Sequence, residues 1–91
     1  MLIDQRLKKD YNKGHIFGAV NIEMQKDIIT DEITDIHKLV KIAQKNKVVY
    51  IYCYGGTCAK NTVRTLKKEY NIKNVINIGG YKDLVELNDA T

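Results

Sequence analysis

The sequence predicts a small α/β domain in which a mainly parallel sheet carries helices on both faces. Two observations lead to this fold class. Short β-branched segments alternate along the chain with segments whose apolar residues recur at helical spacing. The segment KVVYIYC at 47–53 is β-branched and aromatic without polar interruption, which is typical of a strand covered on both faces in a parallel sheet. Ninety-one residues suffice for one domain, 1–91, with one modest core.

The first half of the chain contains two short extended segments and one helix. We expect strands at LID (2–4) and GAVNI (18–22). Thr30 can cap the helix that follows, and the acidic residues at 31–32 suit the positive N-terminal end of its dipole. Apolar residues then recur at three- and four-residue spacing along one face of this helix: Ile33, Ile36, Leu39, Val40 and Ala43.

The second half begins with the strand at 47–53, in which Tyr50 and Tyr52 belong to the run expected to be buried. A second helix follows, and NVINI at 74–78 forms another short strand. GGY at 79–81 is expected to form a turn. The second helix has apolar residues inward (Val63, Leu66, Tyr70) and cationic residues outward (Lys60, Arg64, Lys67, Lys68), and a last short helix carries Leu84, Val85 and Leu87.

Composition excludes several classes of protein. The chain is 44% hydrophobic and 29% charged, as ordinary globular proteins are, and has no apolar run near the ~20 residues that cross a bilayer. Its net charge of +4 comes from lysines spread along the chain, so we expect no nucleic-acid partner, although these charges favour the approach of a small anion. The start lacks the apolar segment of a secretory signal, which predicts a cytoplasmic protein with reduced thiols.

The segment YIYCYGGTCAKNTV at 50–63 carries the chemistry. Both cysteines of the chain and two of its six glycines fall within 53–58, between the predicted strand and the second helix. Ligands of parallel sheets collect at the carboxyl ends of strands, where Cys53 lies. A glycine-containing loop that runs into a helix N-terminus points its amides inward and binds anions. We therefore expect Cys53 to be a nucleophile, held partly as the thiolate and open to small solutes.

Four stretches resemble the rhodanese-like (sulfurtransferase) family, in its order and at its approximate spacing: LIDQR at 2–6, YNKGHIFGAVNI at 11–22, VVYIYCYGGTCA at 48–59 and NVINIGGY at 74–81. The resemblance implies a persulfide on Cys53, which takes sulfane sulfur from a small anionic donor such as thiosulfate or polysulfide and gives it to cyanide or a thiol, including a protein thiol. No metal or organic cofactor is implied. The persulfide-binding amides would come from Tyr54, Gly55, Gly56, Thr57, Cys58 and Ala59.

Further residues match the family's motifs outside this loop. Asp4 and Arg6 match its D-x-R, and His15 matches its GHI-x-GA. The resemblance implies that these three residues support the walls and geometry of the site rather than react. Gly79 and Gly80 match its double-glycine turn after the last strand.

The chain also departs from the family pattern. Cys58 stands where many family loops have an arginine, so Lys60 or Arg64 on the following helix could supply the missing cation. Phe17 replaces a usual proline. The strand and short helix that normally precede the D-x-R motif are absent, which can leave a sheet edge or face open. Since open edges invite pairing, we expect a homodimer.

Other functions stay open for the same residues. Either cysteine could be a buried, inert thiol. Cys53 and Cys58 could form a reversible disulfide, in which Cys58 resolves a persulfide or sulfenic acid, making the protein a redox sensor or a self-discharging carrier. A non-catalytic rhodanese-like binding module is a further alternative. Zinc is disfavoured because the spacing of the Cys and His residues is unusual for it. A phosphatase is disfavoured because Ala59 stands where such loops have arginine.

Overall fold

The sheet of the domain is built from four parallel strands in the order β2-β1-β3-β4. The computed structural model describes residues 1–23 and 36–89. Its elements are β1 (Leu2–Asp4), α1 (Lys8–Lys13), β2 (Ala19–Asn21), α2 (Ile36–Lys45), β3 (Val49–Cys53), α3 (Thr57–Glu69), β4 (Val75–Gly80) and α4 (Tyr81–Asp89). The predicted α/β class with a parallel sheet is confirmed. The predicted start of the first long helix, at 30–35, lies outside the described residues.

One face of the sheet forms the hydrophobic core. Side chains alternate between faces along a strand, so every second residue points toward α2 and α3. The strand residues of this core are Ile3, Val49, Ile51, Cys53 and Val75, and the helices contribute Ile36, Leu39, Ala43, Ala59 and Leu66. The inward face predicted for α3 is confirmed, because Leu66 is buried while Val63 and Tyr70 pack partly buried against the core. The cysteine at the end of β3 therefore belongs to the core face.

Among residues 1–23 and 36–89, the opposite face is covered at the carboxyl ends of the central strands. There the ring of Tyr81, at the start of α4, stacks on buried Tyr52 with 6.1 Å between ring centroids. Two residues earlier in β3, Tyr50 pairs with Ile76 of β4, and these two residues are 39% and 45% exposed. The prediction that β3 is covered along both faces is wrong at Tyr50, because the aromatic ring from α4 reaches Tyr52 instead.

Two further local features differ from the sequence predictions. Helix α1 was not predicted, because its six residues include none that is buried and so carry no apolar repeat. The turn predicted at 79–81 is wrong: β4 continues through Gly80, and α4 begins at Tyr81. The pairing with β3 skips Ile78, which makes a bulge, and Gly79 takes a positive φ of 106° there. A bend inside the strand thus replaces the turn after it.

The helices described here give no membrane span. Among residues 1–23 and 36–89, none has both the length and the apolar character needed to cross a bilayer.

Candidate active site at Cys53

The sulfur of Cys53 lies against the start of α3. Cys53 ends β3, and the chain then curls through Gly56, whose φ of +95° is a left-handed conformation that favours glycine. This curl turns two main-chain amides toward the sulfur: Gly56 N donates to Sγ at 3.1 Å and Ala59 N at 3.3 Å. The sulfur therefore faces two main-chain donors at the N-terminal end of α3, the kind of site that binds anions.

The second cysteine lies beside the first. Cys53 is only 2% exposed, whereas Cys58 in the first turn of α3 is exposed. The amide of Ala59, the residue after Cys58, donates to the Cys53 sulfur at 3.3 Å. Burial raises the pKa of Cys58, and the neighbouring Cys53 raises it further. The expectation that the Cys53 sulfur is open to solutes is therefore wrong in this conformation: Cys58, not Cys53, presents the exposed thiol.

Tyr54 ties the loop to α1. Its side chain is exposed, but its hydroxyl has a hydrogen-bond partner on each side. Leu7 N donates to the Tyr54 hydroxyl at 3.2 Å, and the hydroxyl donates to the Asp10 carboxylate. Burial and the hydrogen bond to Asp10 raise the pKa of Tyr54. The loop residues Gly55 and Thr57 are also exposed.

Asp4 and Arg6 form a buried ion pair. Arg6 Nη2 lies 2.8 Å from Asp4 Oδ2, with both side chains at most 4% exposed. Arg6 also donates to Gly14 O at 2.6 Å, and its guanidinium lies 3.8 Å from the centroid of the Tyr81 ring. Burial lowers the pKa of Arg6, but the hydrogen bond and charge of Asp4 outweigh it, so the pKa is raised. The pair joins β1 to the segment after α1 and to the start of α4.

Tyr52 completes this buried network. Its hydroxyl donates to Asp4 Oδ2 at 2.6 Å and accepts from Ile16 N at 3.1 Å. Burial raises the pKa of Tyr52, and the hydrogen bond to Asp4 adds to the shift. The phenol therefore stays protonated and serves as a structural donor beneath the loop.

The structure places three other predicted residues farther from the sulfur. His15 is exposed and stacks on Tyr11 at 3.8 Å between ring centroids, with Nδ1 hydrogen-bonded to Tyr11 O at 2.9 Å. Lys60 and Arg64 line an exposed groove on α3, and Arg64 donates to Asn61 Oδ1 at 2.9 Å. Within the described residues, no hydrogen bond or ion pair joins these three side chains to Cys53. Their supporting roles stay predictions.

Sequence reasoning missed three side chains that hold the loop in place. Gln5 Nε2 donates to Thr62 Oγ1 at 2.7 Å and to Cys58 O at 3.4 Å. Asn77 Nδ2 donates to Gly56 O at 3.2 Å, while Asn77 Oδ1 accepts from Gly79 N at 2.8 Å. A polar residue inside the apolar run VINI at 75–78 was the available signal for Asn77. Thr62 lies on the buried side of α3, and no local pattern marks its partnership with Gln5.

Gly80 lies directly beneath the loop. A Cβ at this position would stand 2.5 Å from Tyr54 O and 2.8 Å from Gly55 Cα, both of them backbone atoms. Such distances are far below van der Waals contact, so the loop can rest on β4 only if residue 80 is glycine. The double glycine thus gives the bend at Gly79 and the space at Gly80.

The described residues contain no cluster of metal ligands. Within residues 1–23 and 36–89, no group of three His, Cys, Asp or Glu side chains is placed to hold a metal ion.

Fold and site together define a class: α/β domains that hold a cysteine in an amide-lined loop at the carboxyl end of a parallel sheet. Residues 1–87 match the family model of the rhodanese-like domain, and the chain belongs to that family. The thiosulfate sulfurtransferase PspE of Escherichia coli (strain K12) is 30% identical over 84 residues, covering 90% of this chain and 71% of PspE.

A second relative is YrkF of Bacillus subtilis (strain 168), provisionally named as a sulfur carrier protein. It is 30% identical over 77 residues, which are 85% of this chain and 36% of YrkF. The chain therefore spans about a third of that relative's length. No solved structure matches the chain significantly.

Proposed function

We propose that the chain is a sulfurtransferase that carries sulfane sulfur on Cys53. The donor is a small anion such as thiosulfate or polysulfide, and the acceptor is cyanide or a thiol, including a protein thiol. The observation that supports this most is the pair of amide hydrogen bonds, from Gly56 and Ala59, to the Cys53 sulfur. The names of the relatives, a thiosulfate sulfurtransferase and a sulfur carrier, are consistent with it.

The first half-reaction loads a sulfur atom onto Cys53. The Cys53 thiolate attacks the outer sulfur of thiosulfate, the S–S bond of thiosulfate breaks, and sulfite leaves with the electron pair. In the second half-reaction an acceptor thiolate attacks the outer sulfur of the persulfide, and Cys53 leaves as the thiolate. The loop amides stabilise the negative charge on sulfur at both stages. Because Cys53 is 2% exposed, the residues around the sulfur must move to admit the donor.

The anionic donor needs a cation that the loop does not contain. Lys60 and Arg64 are the nearest candidates along α3, and both are exposed. If they attract the donor, Lys60→Ala or Arg64→Ala raises KM for thiosulfate several-fold, whereas Lys67→Ala, farther along α3, changes it little. Steady-state kinetics at two salt concentrations separate these variants. Unchanged KM in both single variants would remove Lys60 and Arg64 from the mechanism.

Loading of the cysteine tests the proposed function itself. After incubation with thiosulfate or polysulfide, the Cys58→Ser variant is expected to gain about 32 Da, one sulfur atom, by intact mass spectrometry. The Cys53→Ser variant is expected to gain nothing. Absence of the adduct from a folded Cys58→Ser protein with every donor would favour the non-catalytic module instead.

A redox-sensing function is the second candidate, because the amide that follows Cys58 lies 3.3 Å from the Cys53 sulfur, which sets the two cysteines side by side. We propose a cytoplasmic location for either function, since reduced thiols persist there.

The homodimer also stays a proposal. Light scattering is expected to give twice the mass of one chain, and the mass of one chain would contradict it.

A further inference from the structure

Two sulfur atoms of this site are close enough to react with each other. Ala59 N lies 3.3 Å from the Cys53 sulfur, and Cys58 is the residue that precedes it. Standard backbone dimensions then put the Cα of Cys58 no more than about 6 Å from that sulfur. A cysteine side chain can swing across much of this gap, and the influence of Cys53 on the pKa of Cys58 agrees with their proximity. Any persulfide on Cys53 is therefore built beside a second thiol.

The side chain of Cys58 is exposed although its backbone is held in place. Cys53, in contrast, is buried. The backbone of Cys58 is fixed, since its carbonyl accepts hydrogen bonds from Gln5 Nε2 at 3.4 Å and Thr62 Oγ1 at 3.0 Å. A fixed backbone keeps the exposed side chain of Cys58 near the Cys53 sulfur. This arrangement gives an intramolecular reaction a high effective concentration.

We propose that Cys58 discharges the Cys53 persulfide and releases sulfide, an inference that rests on the proposed function of Cys53. The Cys58 thiolate attacks the inner sulfur, the Sγ of Cys53. The bond between the inner and outer sulfur atoms breaks, and the outer sulfur leaves with the electron pair as hydrosulfide. The sulfane sulfur is reduced to sulfide, and the two cysteines are oxidised to a disulfide. No other oxidant is needed.

The disulfide must then be reduced before the next cycle. A small-molecule thiol or a dithiol protein supplies two electrons and two protons, and becomes a disulfide itself. With thiosulfate as donor, the full cycle converts thiosulfate and two thiols to sulfite, hydrogen sulfide and one disulfide. Cys58 thus gives the protein a second product: sulfane sulfur that no acceptor takes from Cys53 is released as sulfide.

A single-turnover experiment without any added thiol tests this step. The fully reduced protein is mixed with one equivalent of thiosulfate or polysulfide, and intact mass and free sulfide are followed over time. The wild-type chain is expected to gain about 32 Da briefly. Its mass is then expected to fall to about 2 Da below that of the reduced chain, which marks a disulfide. Up to one sulfide per chain is released at the same time.

Variants identify the residue responsible. In Cys58→Ser, and in Cys58→Ala as a second replacement, the persulfide is expected to last at least about tenfold longer, without sulfide release. Thr65→Ser, on the same helix, serves as the matched control and is expected to behave as the wild-type chain does. Reduction by a dithiol should return the wild-type product to its starting mass.

The outcomes separate this inference from the proposed function. A stable adduct of equal lifetime in the wild-type chain and Cys58→Ser, with no disulfide, would overturn the role of Cys58 and leave Cys53 as a sulfur carrier. No adduct in any variant, with folding verified by circular dichroism, would overturn both. A disulfide that forms at the same rate without a sulfur donor would also overturn the inference, since the persulfide would not be its source.

Discussion

Gly80 controls the geometry of the site although it touches no substrate. A methyl group there would lie 2.5 Å from Tyr54 O and 2.8 Å from Gly55 Cα. In Gly80→Ala, the loop backbone must retreat by roughly 0.5–0.9 Å to reach the 3.0–3.4 Å at which real contacts begin. The amides that face the Cys53 sulfur are in the same loop and move with it. A displacement near 1 Å at a reacting centre can slow a reaction by about 100-fold.

The assay isolates Cys53 by working in the Cys58→Ser background. The rate of persulfide formation is measured by intact mass against donor concentration, and Gly80→Ala is expected to lower it by about 100-fold. Gly55→Ala is the matched control, because a Cβ there meets no atom within 4 Å. It should keep the rate within about threefold of its parent, since its main-chain amide is unchanged.

Stability must be measured alongside the rate. Forcing a methyl group into a packed position costs about 1–3 kcal/mol, which lowers the melting temperature without unfolding the domain at 25 °C. The reasoning is refuted if Gly80→Ala loads sulfur as fast as Gly55→Ala. In that case the loop would not depend on its contact with β4.

Two further variants test the buried network and the second thiol. Asp4→Asn leaves the Arg6 guanidinium buried without its counter-charge, so the free energy of unfolding is expected to fall by about 3–5 kcal/mol in urea titrations. The exposed-site control Glu86→Gln should change it by less than about 0.5 kcal/mol, and an equally small change for Asp4→Asn would contradict the account. Burial and the neighbouring Cys53 both raise the pKa of Cys58, so alkylation of Cys58 should need a higher pH than for an ordinary cysteine. Cys53→Ser removes the second cause, so the alkylation profile should move to lower pH; an unmoved profile would show that Cys53 does not influence Cys58.

Sequence reasoning located the reactive loop because the relevant signals are local. The uninterrupted run at 47–53 and the glycines that follow it place Cys53 at the end of a strand and before a helix, as the structure has it. The amides that reach the sulfur follow from that order of elements, since a helix N-terminus has unpaired donors. The apolar repeat of α3 likewise predicted which of its residues face the core.

The features that escaped prediction depend on contacts between distant parts of the chain. The double glycine predicts a turn at 79–81, but in β4 these glycines serve a bulge and a close approach of the loop, neither of which has a local signature. Tyr50 was expected to be buried, but its exposure depends on where α4 begins. The bond from Gln5 to Thr62 joins residues 57 positions apart, which spacing alone cannot reveal.

The position of the sulfane sulfur tests the central claim most directly. A short pulse of polysulfide on the wild-type chain, followed by alkylation, digestion and tandem mass spectrometry, assigns the added sulfur to one cysteine. The account predicts the persulfide on Cys53, the buried thiol that faces the amides of Gly56 and Ala59. Sulfur found on the exposed Cys58 alone, in the wild-type chain and in Cys53→Ser, would contradict it.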